Sequence, residues 1–447
     1  MSEPCATPRQ TLSTWDGIAF LIGIVIGVGI FKAPQLVAQF TGNTWAFMGV
    51  WVLGGLITLI GALCYAELGS AYPHAGGEYH FLSRAFGRDI GVLFAWARGT
   101  VIQTGAIAAV AFVYGDYAST VMPLGPHSVA IHAALAVAVF TGVNLLGTLQ
   151  GKLAQHLFTV LDVGAILLLM AAGFLVSSQG GFSPPAPADS GPVNWGGIGL
   201  AMVFVLLTYG GWNEAAYLSG ELREVQRKMA RTLLVSVGFV TLVYVLVNFA
   251  YVSALGLDGL KKGDTPAADV MRSAFGDRGA FILTLLIMGA ALSTLNASVF
   301  TGARVYYALG RDLGGMRGLG VWSARGENPA SGLLLQGAIT LTLVVLGALT
   351  RNGFQTMVEY TSPVFWFFML LVGLSLFIFR QWEPVRERGY RVPLYPVTPL
   401  LFVLTCCYML YSSLAYTGIG ALVGVGVLVL GLPLLVLGRG KDATSGR

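Results

Sequence analysis

Hydrophobic residues are grouped along the chain into about twelve long apolar stretches, which short polar loops separate. Each stretch has roughly the 20 residues that an α-helix needs to cross a bilayer. The pattern predicts an all-α integral membrane protein with 12 transmembrane helices and no water-soluble domain. The stretches lie near residues 15–40, 44–68, 90–120, 129–149, 153–177, 195–220, 231–257, 279–308, 332–350, 357–380, 397–416 and 418–437.

Two of these stretches, the first and the sixth, are interrupted by glycine near their centres. The first contains Gly27 and Gly29, and the sixth contains Gly210 and Gly211. Glycine is a poor helix former, so a continuous membrane helix has no reason to carry a cluster of glycines at its centre. Paired interruptions at corresponding places are typical of a transporter's substrate site. We expect helices 1 and 6 to unwind at mid-membrane; the alternative is that these glycines only permit close helix packing.

A weak internal repetition accompanies the interruptions. A Trp-x-Gly-Ile run opens the first interrupted stretch at 15–18 and the sixth at 195–198, although tryptophans at these places are also typical of interfacial anchors. Because five helices separate the two starts, the second copy is inverted, which predicts a 5+5 inverted repeat followed by two C-terminal helices. The predicted segments are a cytoplasmic tail (1–14), a first repeat (15–177), an extracellular loop (178–194), a second repeat (195–380), helices 11 and 12 (381–437) and a second cytoplasmic tail (438–447).

Composition and charge indicate the environment and the orientation of the chain. It is 55% hydrophobic and only 11% charged, whereas soluble domains carry roughly 25% charged residues. With the N-terminus inside, nineteen of the 26 Lys and Arg residues fall on the cytoplasmic side and five outside, which predicts that both termini are cytoplasmic. This topology explains the net charge of +5, which therefore does not indicate nucleic-acid binding. Short loops and no signal segment predict a bacterial inner membrane.

Motifs spread over nearly the whole chain carry a resemblance to a known family. They are Gly27-Val28-Gly29-Ile30-Phe31-Lys32-Ala33-Pro34, Tyr65-Ala66-Glu67-Leu68 with Pro73, Gly76, Gly77, Glu78 and Tyr79, then Tyr209-Gly210-Gly211-Trp212-Asn213, Leu295-Asn296-Ala297-Ser298 and Tyr390-Arg391-Val392-Pro393. On these residues the chain resembles amino-acid permeases of the amino acid–polyamine–organocation (APC) superfamily, nearest to the L-type group. The resemblance implies the LeuT-like fold and secondary active transport of amino acids by alternating access.

The predicted substrate site consists of backbone groups that the two interruptions expose. Unpaired backbone groups cost several kcal/mol each in hydrocarbon, so a ligand or water must complete them. The first interruption opens a half-helix whose positive end suits a carboxylate, and the carbonyls at the second suit an ammonium group. Together they predict a receptor for a zwitterion, and the apolar surroundings favour a neutral amino acid. The predicted site residues are Val25, Ile26, Gly27, Val28, Gly29, Ile30, Leu206, Leu207, Tyr209, Gly210, Gly211, Trp212, Asn213, Asn296 and Trp366; for the two tryptophans, ordinary packing is an alternative.

Two charged residues follow the interruptions at equivalent positions. Lys32 lies three residues beyond Gly29, and Glu214 lies three beyond Gly211. Charges inside a membrane are expensive and are functional candidates by default. We expect an ion pair between Lys32 and Glu214 that helps to close an outer vestibule. The alternatives are that Lys32 attracts the substrate carboxylate, or that both are separate solvated charges.

A third candidate is Asp162 in the fifth predicted helix, where the resemblance implies a lysine in many similar transporters. An aspartate there, with its pKa raised by burial, is suited to hold a proton. With Ser293 and Thr294 of helix eight it is also a possible sodium site, since hard cations prefer oxygen ligands. A merely hydrogen-bonded aspartate is the alternative. Arg98 in helix three is expected to have a structural role.

Other function classes find less support in the sequence. Five scattered histidines and four cysteines offer no catalytic or metal spacing, so we expect neither an enzyme nor a cofactor. In heteromeric members of the group that the chain resembles, a cysteine between helices three and four attaches a heavy chain. The loop 122–128 has no cysteine, so the resemblance implies no disulfide-linked heavy chain. We expect a monomer or weak homo-oligomer. The alternatives left open are a cation- or proton-coupled carrier of another small amine or organocation, and an amino-acid-binding membrane sensor that does not transport.

Overall fold

A computed structural model describes residues 13–74, 76–146, 151–179, 192–220, 222–263, 265–312, 318–321, 328–350, 352–415 and 419–439. Side chains are described throughout these ranges except at 151–162, 179, 308, 311–312, 419 and 436–439. The α-helices are α1 (Thr14–Val25), α2 (Ala33–Thr41), α3 (Thr44–Ala71), α4 (Gly77–Phe86), α5 (Arg88–Ala97), α6 (Gln103–Val121), α7 (Ser128–Leu146), α8 (Gly151–Gln179), α9 (Trp195–Thr208), α10 (Ala215–Leu218), α11 (Val225–Lys262), α12 (Pro266–Asp312), α13 (Ala330–Ala348), α14 (Gly353–Trp382), α15 (Val397–Ala415), α16 (Ile419–Val429) and α17 (Leu432–Arg439).

Many of these helices have the length and hydropathy of membrane spans. In the described ranges, nine helices are long and apolar enough to cross a bilayer, or ten when α9 and α10 are taken as one bent span. Shorter apolar helices lie at Val163–Ser178 and Gly420–Leu435. The predicted all-α, multi-helix membrane architecture is therefore confirmed at this level, and the total of twelve spans stays a prediction.

Polar residues fix where several apolar helices begin. The Ser13 hydroxyl accepts from the Asp16 amide, and the Asp16 carboxylate accepts from the Ser13 amide at 2.9 Å, which is a capping box. Asn43, Asn194 and Asn352 accept amide hydrogen bonds at the starts of α3, α9 and α14. Each cap satisfies a donor that the first turn of a helix leaves without a partner.

Two long helices bend at glycines with left-handed backbone conformations. Gly256 bends α11 with φ 64°, and Gly276 bends α12 with φ 67°, a region that favours glycine because it has no Cβ. Between the bends the chain packs back onto the protein, where Leu257, Leu260 and Ala267 are buried. The helices therefore continue beyond the apolar spans as short packed segments.

Close helix approach positions the elements that carry the interruptions. Gly54 of α3 lies against Val205 of α9, and Gly55 lies against Thr241 of α11. Small residues permit such close contacts between membrane helices. As a result α3 packs on both α9, which precedes the second interruption, and α11, which contacts both interruptions.

Candidate functional site

The first interruption lies where the sequence predicts it. Helix α1 ends at Val25, and Gly27 is extended, with φ −110° and ψ −178°. A single 3₁₀ turn, Val28–Phe31, follows, and α2 then begins at Ala33 with Pro34 in its first turn. Proline is tolerated there because a first-turn amide has no helical partner. The segment 28–41 is therefore a second half-helix separated from α1 by a short extended link.

The second interruption has a matching form. Helix α9 ends at Thr208, Gly211 adopts a left-handed φ of 105°, and a 3₁₀ turn, Trp212–Glu214, leads into α10. The axes before and after this break differ by 44°. A Cβ at Gly211 would lie 2.7 Å from the Ile24 Cγ2 atom. Both the backbone conformation and the lack of space therefore require glycine at this position.

The two interruptions are in contact and run antiparallel. Gly29, after the first break, has the Thr208 side chain 3.5 Å from where its Cβ would be, and Gly211, after the second, lies against Ile24, before the first. The glycines 27, 29, 210 and 211 are each partly exposed, whereas Val25 and Val28 beside them are buried. The backbone at the crossing point is therefore more accessible than the side chains around it.

Three tyrosines satisfy carbonyl groups that the first break frees from helical hydrogen bonding. The Tyr244 hydroxyl of α11 lies 2.6 Å from the Val25 oxygen and 3.3 Å from the Thr208 oxygen, so it reaches both interruptions. Tyr251, seven residues on, donates to the Ile30 oxygen at 3.3 Å, and Tyr117 of α6 donates to the Phe31 oxygen at 3.1 Å. In a medium without water such partners are necessary.

These tyrosines were not predicted from the sequence. Tyr244 and Tyr251 are seven residues apart and therefore share one helix face. Two tyrosine rings on one face of a membrane-spanning helix were the only indication that the sequence offered. The signal was insufficient because it does not say which backbone groups the hydroxyls reach.

The aromatic residues predicted to line the site also contact neighbouring aromatic rings and backbone groups. Tyr209 is fully buried and donates to the Trp51 oxygen of α3 at 3.0 Å. The Trp212 ring packs 4.8 Å from the Tyr65 ring, also in α3. Trp366 of α14 is buried beside Phe365. For both tryptophans these contacts agree with the packing alternative.

The two asparagines predicted to line the site donate to or accept from neighbouring helices. The Asn213 amide donates to Glu78 Oε1 at 3.0 Å. The Asn296 oxygen of α12 accepts from the Asn144 amide of α7 at 2.8 Å. The Asn213 side chain therefore connects the segment after the second break to α4, and the Asn296 side chain connects α12 to α7. The residues of the two breaks, 25–30 and 206–211, lie against each other.

The predicted ion pair between Lys32 and Glu214 is wrong. Lys32 Nζ lies 2.9 Å from Asp116 Oδ2, and Glu214 Oε1 lies 2.7 Å from Arg98 Nη2. The reason is geometric: because the two interrupted helices are antiparallel, residues that follow their breaks extend in opposite directions. Equivalent positions therefore cannot meet, and each charge finds a different partner.

The predicted coupling site is only partly described. The side chain of Asp162 lies outside the described residues. Ser293 is buried in α12 and Thr294 beside it is partly exposed. Among the described residues no group of three His, Cys, Asp or Glu side chains could hold a metal ion.

A buried glutamate gathers hydrogen-bond donors next to the second interruption. Glu78 of α4 accepts from the Tyr65 hydroxyl at 2.6 Å, from Asn213 at 3.0 Å and from the Tyr217 hydroxyl at 3.2 Å. Arg98 lies 3.5 Å from its second oxygen. Burial raises the pKa of Glu78, and the Arg98 charge opposes that rise. The cluster joins α3, α4 and the span Arg88–Val121, in which a π-helical turn, Arg98–Ile102, connects α5 to α6, to the segment after the break.

A second buried glutamate fixes the loop that follows α14. Glu67 of α3 accepts two hydrogen bonds from Arg380, at 2.9 and 2.6 Å, and one from the Val392 amide at 2.7 Å. Arg388 lies 3.3 Å from the same carboxylate. These contacts join α3 to α14 and to the loop that follows it.

Comparison with known proteins gives a consistent result. A family model described as amino acid permease matches residues 12–432. The chain is 28% identical over 422 residues to the b(0,+)-type amino acid transporter 1 of Homo sapiens, which covers 92% of this chain and 84% of that protein. It is 27% identical over 444 residues to the large neutral amino acids transporter small subunit 2 of Homo sapiens, which covers 96% and 80%. The family match extends over most of the chain and agrees with the resemblance seen in its motifs, so this multi-pass membrane protein belongs to the amino acid permease family.

Proposed function

We propose that this protein is a secondary active transporter that moves a neutral amino acid across the membrane by alternating access. The observation that supports this most is the antiparallel contact of the two interruptions, with Gly29 beside Thr208 and Gly211 beside Ile24. Ends of opposite polarity from two half-helices meet at such a crossing. The relatives named above are themselves called amino acid transporters, which supports the same class of substrate.

In this proposal the substrate carboxylate binds at the start of the half-helix 28–41, where the helix dipole is positive. The ammonium group binds to carbonyls at the end of α9. Tyr244 already contacts the Thr208 oxygen, and a carbonyl has two lone pairs. One oxygen can therefore hold the hydroxyl and a substrate ammonium at the same time.

The proposed neutral specificity rests on charge. The interrupted segments 24–31 and 206–213 contain no charged residue. The charges that follow them, Lys32 and Glu214, are each engaged in an ion pair. An additional charge on the substrate would remain unpaired in an apolar site, which is costly. The name of one relative, a large neutral amino acids transporter small subunit, agrees with this proposal.

For the architecture we propose twelve spans in a 5+5 inverted repeat, at 15–177 and 195–380, with two further helices after it. The antiparallel course of the two interrupted helices supports an inverted relation. The charge distribution supports cytoplasmic termini. The absence of cysteine from the loop 122–128 supports a protein that has no disulfide-linked partner.

For energy coupling we propose a proton or sodium ion at Asp162 with Ser293 and Thr294. Helix α8, which carries Asp162, packs along α12, which carries the other two. If the proposal holds, uptake by Asp162→Asn loses its dependence on pH or on sodium. Unchanged dependence on both would exclude a coupling role for this residue.

The decisive experiment is uptake of radiolabelled amino acids by the purified protein in liposomes. We expect saturable uptake of at least one neutral amino acid, and loss of that uptake in Gly211→Ala. The matched control is Gly238→Ala, because a Cβ at Gly238 of α11 would meet no atom within 4 Å. Ligand-dependent thermal stabilisation without any uptake would refute transport and favour a sensor.

A further inference from the structure

Two ion pairs join one helix to the segments that follow the two interruptions. Asp116, the partner of Lys32, and Arg98, the partner of Glu214, both belong to the span Arg88–Val121. They are 18 residues apart, or about 27 Å at a rise of 1.5 Å per residue. That length is close to the ~30 Å of a bilayer's hydrocarbon core. The two ion pairs therefore lie towards opposite faces of the membrane.

The two ion pairs are equivalent in sequence and opposite in direction. Lys32 and Glu214 each lie three residues beyond the second glycine of an interruption. Each stands at the start of the half-helix that follows a break, and the two half-helices run antiparallel. One helix thus holds both half-helices, one near each of its ends.

A hydrogen bond beside one ion pair and a cation–π contact beside the other strengthen the two connections. Beside Asp116, the Tyr117 hydroxyl donates to the Phe31 oxygen at 3.1 Å, next to Lys32. Beside Arg98, the Tyr217 ring lies 4.5 Å from the guanidinium carbon. The side chains of Lys32 and Asp116 are only 4% and 17% exposed, and those of Arg98 and Glu214 are 14% and 30% exposed. Removing Asp116 takes a carboxylate from the poorly solvated Lys32 ammonium, which is costly. Removing Glu214 leaves Arg98 only the longer 3.5 Å contact with Glu78.

We propose that Lys32–Asp116 and Glu214–Arg98 are two latches that close opposite faces of the transporter, both fastened to the span Arg88–Val121. This inference rests on the proposed function, since it assigns the two gates of the same site. Opening one face separates one ion pair while the other stays intact. Because separating both at once breaks two poorly solvated ion pairs instead of one, the latches disfavour a state that is open to both faces.

The test measures access to the crossing point from each face. The reporter is Thr208→Cys, which lies between the two interruptions, in a chain whose four native cysteines are replaced by serine. A membrane-impermeant thiol reagent is applied to sealed vesicles of either orientation. Asp116→Asn opens the first latch and Glu214→Gln the second. The matched control is Glu224→Gln, which removes a carboxylate from an exposed 2.7 Å ion pair with Lys228.

We expect Asp116→Asn to raise labelling about tenfold from one face, and Glu214→Gln to raise it about tenfold from the other, a change of about 1.4 kcal/mol each. The exchange variant Lys32→Asp with Asp116→Lys restores the parental rate, which separates loss of the ion pair from misfolding. The proposal is refuted if labelling rises from the same face in both variants or does not rise at all. It is also refuted if the exchange variant fails to restore the parental labelling rate. The measurement needs no substrate, so a protein that labels as expected but takes up no amino acid refutes the proposed function and leaves the latches intact.

Discussion

Tyr244 offers the sharpest test of the idea that the two interruptions act as one site. Its hydroxyl lies 2.6 Å from the Val25 oxygen and 3.3 Å from the Thr208 oxygen. Tyr244→Phe removes the hydroxyl and keeps the ring, so the Val25 oxygen keeps the Gly27 amide at 2.8 Å and loses its second donor. The net contribution of one such hydrogen bond is about 0.5–1.5 kcal/mol. If the substrate must then order the two breaks itself, a loss of ~1 kcal/mol weakens its binding about fivefold.

The assay is thermal stability of the purified protein titrated with an amino acid that it binds, together with the KM for uptake. The matched control is Tyr360→Phe, because Tyr360 is also fully buried and donates to a backbone oxygen, that of Thr100, at 2.8 Å. Both variants should lose stability in the absence of ligand, and only Tyr244→Phe should lose affinity. Equal effects of the two variants on affinity, or none from Tyr244→Phe, would refute the assignment of Tyr244 to the site.

Three further predictions follow from particular residues. Gly27→Ala should change the free energy of unfolding by no more than about 0.5 kcal/mol, since its Cβ would meet only the Ile24 oxygen at 3.9 Å. The variant should raise the KM for uptake because the added methyl group enters the crossing point. An unchanged KM would argue against substrate binding there. Glu67→Gln should destabilise the protein by about 3–5 kcal/mol, measured by thermal melting, whereas Glu224→Gln, in an exposed ion pair, should not shift the melting temperature. Burial, and after it the neighbouring positive groups, lower the pKa of His80 to about 4. The unfolded chain therefore binds this proton more tightly, and the free energy of unfolding falls as pH drops from about 6.5 towards 4. The slope of stability against pH should be smaller in His80→Gln, and an identical slope would contradict this prediction.

The interruptions could be predicted from the sequence because their cause is local. Glycine weakens a helix at any position, as Gly27 and Gly211 do here. At position 211 only glycine readily adopts the φ of 105° found there. Helix starts at Asn43 and Asn194 are local in the same way. The partners of these segments could not be found in this way. Tyr244 is 219 residues from the carbonyl of Val25 that it reaches, and no spacing rule connects them.

The contacts of individual side chains could not be predicted for a related reason. Asn213 and Trp212 were assigned to the site because they follow the second break directly, yet a 3₁₀ turn directs them towards Glu78 and the Tyr65 ring. A change of a few residues in helix type rotates side chains by tens of degrees, and hydropathy does not report it. Backbone groups at a break are therefore safer predictions than the side chains beside it.

The failed ion pair also shows how an inverted repeat has to be used in such reasoning. Equivalence in sequence places Lys32 and Glu214 in the same local setting, but inversion places them at opposite ends of the crossing. Each then needs a partner from an element that reaches both ends, and a helix of about 30 Å is the simplest element that does. Asp116 and Arg98 on the span Arg88–Val121 meet that requirement with opposite charges. If the exchange variant Lys32→Asp with Asp116→Lys failed to restore the parental labelling rate, this use of symmetry would be refuted.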